Sequence, residues 1–120
     1  YTSFAYTDLT LSTDTIRNDE SLLVRVKITN TGAVAGEEIA QLYIRDLVAS
    51  RTRPVKELKG FKKIFLEPGE SQTVTFQLSE SDLTFYNANN QWEAEPGKFK
   101  VMVGPNSEEL LEKEFVFKDH

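Results

Sequence analysis

A chain of 120 residues holds one core and no second one, and at this size roughly two-thirds of the unfolded surface is buried on folding. With 39% hydrophobic and 28% charged residues it is neither low-complexity nor disordered in composition. A net charge of −5 argues against nucleic acid as the main partner, because phosphate binding needs a basic face, and the absence of cysteine excludes a disulfide framework and thiolate metal sites.

No apolar stretch approaches the ~20 residues a helix needs to span a bilayer, so no membrane insertion is expected. No signal-peptide pattern is read: Tyr1 opens directly into strand-like sequence, which leaves the compartment open. Thereafter apolar residues recur at period two, the primary signal of a strand with one face in a core. Leu22, Val24, Val26 and Ile28 alternate with Leu23, Arg25, Lys27 and Thr29. Turn chemistry from Asn30-Thr31-Gly32 to Gly36 leads into Ala40, Leu42 and Ile44, which alternate with Gln41, Tyr43 and Arg45. The longest irregular stretch follows, from Leu47 to Lys56, too polar for a core and a candidate contact loop.

Glu67-Pro68-Gly69-Glu70 places proline and glycine where a type II turn uses them. Val74, Phe76 and Leu78 then alternate with polar residues, and Ser79 to Leu83 predicts a short helical turn with Asp82 answering a Ser79 cap. Asn87 to Asn90 and Glu95-Pro96-Gly97 punctuate the next pair of strands. Phe99, Val101 and Val103 form another alternating run, Gly104-Pro105-Asn106 turns the chain, and Phe115 and Phe117 close it. Turns at this spacing, with no long helical period, predict an all-β fold: an antiparallel β-sandwich of about seven or eight strands.

Nucleophilic catalysis needs a base held near a serine, cysteine or lysine, and the one histidine is His120, the last residue. A catalytic triad, zinc and other metal sites are therefore not expected, and neither is a cofactor, since no glycine-rich phosphate loop or calcium loop is present. Asp8, Asp14, Asp19 and Asp46 are too scattered to suggest coordination. Carboxylate pairs are weighed separately, because a glycosidase needs only two acids across a sugar. Glu37 and Glu38 are adjacent and in a strand point to opposite faces. Glu93 and Glu95 share a face around Trp92; they are either an acid pair or a solvated strand edge whose tryptophan packs on the core. Tyr43, Tyr86 and Trp92 are either a sugar-stacking platform or ordinary buried rings with one wet polar tip.

Charge is unevenly spread. Arg45, Arg51, Arg53, Lys56, Lys59, Lys62 and Lys63 are half of the 14 basic residues, set against only Asp46 and Glu57. This local positive surface is either a solvated loop and strand face or a docking patch for an acidic neighbour, where arginine suits bidentate carboxylate pairing.

The same segment carries a resemblance. Gly36-Glu37-Glu38-Ile39-Ala40-Gln41-Leu42-Tyr43-Ile44-Arg45-Asp46 and Arg53-Pro54-Val55-Lys56-Glu57-Leu58-Lys59-Gly60-Phe61-Lys62-Lys63 resemble the fibronectin type III-like domain that ends many family 3 glycoside hydrolases. Leu66-Glu67-Pro68-Gly69-Glu70-Ser71, Asp82-Leu83, Phe85-Tyr86, Trp92, Glu95-Pro96-Gly97 and Val103-Gly104 follow in the family's order, so the likeness runs from about Tyr1 to Phe117. It implies an immunoglobulin-like sandwich and a parent enzyme of β-glucosidase or β-xylosidase type, periplasmic or secreted. The family's catalytic aspartate and glutamate lie in preceding domains and have no counterpart here, so no catalytic residue is carried over. The implied role is a non-catalytic scaffold that packs on the upstream domains of the same chain and meets glycan only through the parent. The irregular segment matching Leu47 to Lys63 is implied in that contact, with Arg45, Arg51, Arg53, Pro54, Lys56, Glu57, Lys59 and Phe61 as contact residues. Arg53-Pro54 fixes an extended loop backbone, Gly60 lets the backbone pass close to a neighbour, and Phe61 serves as apolar anchor.

Overall fold

Leu22, Val24, Val26 and Ile28 are fully buried while Arg25 and Lys27 between them are exposed, so the period-two pattern becomes a strand with one dry face. The same logic generates most of the structure, a computed structural model that describes residues 2–47, 56–86, 92–93 and 96–118, with the backbone alone described at 85, 86, 92 and 93. The elements in chain order are β1 (Phe4–Leu11), β2 (Thr15–Arg17), β3 (Ser21–Asn30), β4 (Gly36–Asp46), β5 (Lys56–Leu66) and β6 (Ser71–Ser79). A single 3-10 turn (Glu80–Leu83), β7 (Phe85–Tyr86), β8 (Trp92–Glu93), β9 (Gly97–Gly104) and β10 (Leu111–Lys118) complete the set.

The strands form a three-stranded sheet ordered β1-β3-β6 and a five-stranded sheet ordered β2-β10-β9-β4-β5, with β7 and β8 as a separate two-stranded ribbon. The two main sheets thus hold the predicted number of strands. One departure is the pairing of β2 with β10, which is parallel. It arises because the chain leaves the first sheet after β1 and runs beside β10 in the second, so the sandwich is not wholly antiparallel.

Between the sheets lies one core. Its largest members are Phe99, Phe115 and Phe117, and the rings of Phe99 and Phe115 stack with centroids 5.6 Å apart. Each fully buried apolar side chain of this kind contributes roughly 1.5–3 kcal/mol of transfer free energy. At one end Asn30, fully buried, satisfies its whole amide. Its Oδ1 accepts from the Thr2 hydroxyl at 2.8 Å and from Gly32 N–H at 2.9 Å, and its Nδ2 donates to the carbonyls of Val34 and Leu66. Gly32 has to lack a side chain, because a Cβ there would sit 1.7 Å from the Thr2 hydroxyl oxygen.

The expected turns are present. Gly69 has φ +79° and Glu70 N–H donates to the Glu67 carbonyl at 3.0 Å, as a type II turn requires. At the 3-10 turn the Asp82 carboxylate accepts from the Ser79 backbone N–H at 2.9 Å, the reciprocal contact expected from Ser79 and Asp82.

Candidate functional site

β4 and β5 run antiparallel at one side of the larger sheet, and their register brings together residues that are distant in sequence. On the outer face Glu37 stands opposite Phe65, Ile39 opposite Lys63, Gln41 opposite Phe61, Tyr43 opposite Leu58 and Arg45 opposite Lys56. Ile39, Leu58, Phe61 and Phe65 are large apolar side chains in the open, and Phe61 is 68% exposed. They zigzag across the two strands as a continuous stripe.

Charge borders the stripe at both ends. Lys63 lies 3.3 Å from Glu37 at one end, an exposed pair of little energetic weight. At the other, Lys56 holds its ammonium 5.9 Å from the centre of the Tyr43 ring and donates to the Ser107 carbonyl. Beside it Arg45 has a buried Nε with no hydrogen-bond partner. Such a group in a folded protein calls for an acceptor.

Of the residues expected in a contact, the structure brings Arg45, Lys56 and Phe61 onto this face. Glu57 and Lys59 pair with each other at 3.3 Å. Arg51, Arg53 and Pro54 lie outside the described residues. Two expectations are corrected. From Lys56 onward the segment is regular strand, not irregular loop, because it continues the β4 ladder to Leu66. At Gly60 the missing side chain faces inward, where a Cβ would meet the Phe76 ring of the same domain at 3.5 Å. Lys62, counted with the positive surface, also points inward, with its ammonium 6.0 Å from the centre of the Phe76 ring.

Sequence reading missed Ile39, Leu58 and Phe65. The signal for one was available: Ile64, Phe65 and Leu66 are consecutive apolar residues, and in a strand the middle one must face away from its neighbours. Leu58 was hidden by a β-bulge. The register shifts between Leu42 and Tyr43, leaving Lys59 as an extra residue, so Leu58 and Phe61 share a face although they are three apart.

The remaining candidates scatter. Tyr86 and Trp92 are direct cross-strand partners in the β7–β8 ribbon, whereas Tyr43 belongs to the larger sheet and donates its hydroxyl to Gln41. Glu93 stands opposite Phe85, and Glu95 and His120 lie outside the described residues. Glu37 and Glu38 diverge as expected, Glu37 outward to Lys63 and Glu38 inward to the Tyr6 hydroxyl, which donates to it at 3.0 Å. Burial first, then the negative charge and hydrogen bond of Glu38, push the Tyr6 hydroxyl well above the ordinary tyrosine range. Asp14 and Glu114, both exposed, line a groove of about 300 Å³ together with Lys113. Among the described residues, no group of three or more potential ligands gathers to hold a metal.

Comparison with known proteins places this architecture. The fibronectin type III-like domain family matches residues 38–107. A periplasmic β-glucosidase of Salmonella typhimurium is 44% identical over 115 residues, which is 96% of this chain and 15% of that enzyme. A β-xylosidase of Formosa agariphila is 43% identical over 107 residues, 89% of this chain and 15% of its own. In three dimensions, a β-glucosidase from Erythrobacter marinus superposes with a TM-score of 0.89 at 42% identity, covering 98% of this chain and 16% of that one. The chain therefore spans about a sixth of the length of the enzymes it matches. The two-sheet sandwich, the matched residues and these relatives agree: the chain belongs to the fibronectin type III-like domain family, in the form carried by β-glucosidases and β-xylosidases of family 3 of the glycoside hydrolases.

Proposed function

We propose that the chain is the C-terminal, non-catalytic domain of a larger glycoside hydrolase of β-glucosidase type, which supports the catalytic domains by packing on them. The observation that carries this reading is the coverage: nearly all of this chain maps onto about a sixth of each enzyme. The parent acts on terminal β-linked sugars, glucosides first and xylosides as the alternative, because relatives named for both reactions carry the domain. A periplasmic or secreted location suits it, in keeping with the periplasmic relative.

The reading is tested with aryl β-glucosides. The isolated 120-residue chain releases no nitrophenol, and removal of the same residues from the parent lowers the yield of active enzyme. Turnover by the isolated chain above the uncatalysed rate would overturn the non-catalytic assignment.

A further inference from the structure

We propose that the outer face of β4 and β5 is where the rest of this polypeptide seats, and that the seating surface is apolar at its centre and acidic at its border. This rests on the reading above that the chain is one domain of a larger enzyme. A contiguous exposed apolar stripe on a soluble domain marks a surface covered by something else. Here Ile39, Leu58, Phe61 and Phe65 form that stripe, with Phe61 as the most exposed anchor. Aromatic residues surrounded by a polar rim are the usual energetic centre of a protein contact.

The occupant is argued from two observations. The matched enzymes carry most of their length outside the region this chain matches, so a large neighbouring surface exists in the same polypeptide. The chain bears a net charge of −5, yet Arg45, Lys56 and Lys63 border this face against the carboxylate of Glu37, a local excess of positive charge that selects a partner with carboxylates at its margin. Arg45, partly exposed at this border, suits a carboxylate brought by the partner, which its planar guanidinium can pair bidentately.

The approach is onto the face and not along the edge. β5 is the last strand of its sheet, but its edge carries a bulge at Lys59 and the inward-pointing Lys62. Both devices block the addition of another strand.

The test uses the full-length parent chain. Phe61→Cys, Phe65→Cys and, on the outer face of the opposite sheet, Thr73→Cys are each treated with a thiol reagent, and labelling at that position is read by peptide mass spectrometry. All three positions are exposed in the domain, so the substitutions leave its fold intact, and hydroxyl-radical footprinting of native Phe61 and Phe65 repeats the measurement without substitution. Labelling at 61 and 65 is expected to be at least about tenfold slower than at 73, because it must wait for the contact to open. Fast labelling at 61 and 65 with slow labelling at 73 would overturn this face while leaving the multidomain reading standing. Fast labelling at all three positions would likewise overturn this face and leave the multidomain reading, which rests on coverage, standing. Protection that grows with protein concentration would assign the face to a second copy, and so also overturn the proposal.

Discussion

Two long antiparallel ladders, β3 with β6 and β4 with β5, put the same kind of residue into the core. β3 and β6 contribute Leu22, Val24, Val26, Ile28, Val74, Phe76 and Leu78; β4 and β5 contribute Ala40, Leu42, Ile44, Ile64 and Leu66. Their outer faces differ. On β3–β6 the rungs read Lys27 with Thr73, Arg25 with Thr75 and Thr29 with Ser71, the last pair hydrogen-bonded at 2.7 Å. On β4–β5 the corresponding rungs hold Phe65, Ile39, Phe61 and Leu58. A strand needs only one apolar face to fold, so the second apolar face of β4–β5 contributes little to the stability of the domain itself. The proposed contact with the rest of the polypeptide accounts for its composition.

The inner faces are expected to be equivalent, and this gives the largest effects. Ile28→Ala in β3 and Ile44→Ala in β4 each remove a fully buried side chain and are expected to cost about 2–5 kcal/mol in denaturant unfolding. A cost below about 1 kcal/mol at Ile44 would mean that the second ladder is not packed like the first, since relaxed core sites rarely absorb so large a cavity.

Tyr6 ties the two sheets together through Glu38, and Tyr6→Phe is expected to cost about 1–3 kcal/mol at neutral pH, as loss of a hydrogen bond to a carboxylate does. The sign of its pH dependence follows from the raised hydroxyl. The folded state keeps a proton that the unfolded chain releases near pH 10, so the contribution is complete below about pH 10 and falls as pH rises above it. Unfolding measured at pH 7 and in the alkaline range should show a shallower decline for Tyr6→Phe than for the parent sequence. Equal slopes would remove Tyr6 as a source of that decline.

The smallest effect on the isolated domain is expected where the proposed contact is centred. Phe61→Ser combined with Phe65→Ser should change the stability of the isolated domain by no more than about 0.5 kcal/mol per site, as exposed positions usually do. A loss beyond about 2 kcal/mol would show that these rings pack within the domain, and the contrast between the ladders would fail.

Much of the fold could be read directly. Strands with strict alternation, such as Leu22 to Ile28 and Phe99 to Val103, declared themselves because the side-chain period of a strand is two. The type II turn at Glu67–Glu70 was equally plain, because proline and glycine each restrict the backbone in a known way. β5 was half hidden. Its lysines look like loop, its bulge at Lys59 breaks the alternation, and Lys62 points inward, so no period-two pattern identifies it. β2 was invisible, since three residues are too few to show a period.

Sequence alone determined that this chain is a β-sandwich, that it resembles a domain of family 3 glycoside hydrolases, and that half of its basic residues fall between Arg45 and Lys63. These are properties of local order: alternation, turn chemistry and motif succession. Only the tertiary structure decided which of those residues share a surface. Arg45 and Lys56 meet across one rung, Lys62 turns inward, and Ile39 joins Leu58, Phe61 and Phe65 in a single stripe. The reason is register: one extra residue at Lys59 shifts the pairing of β5 with β4, and that shift decides which side chains reach the outer face together.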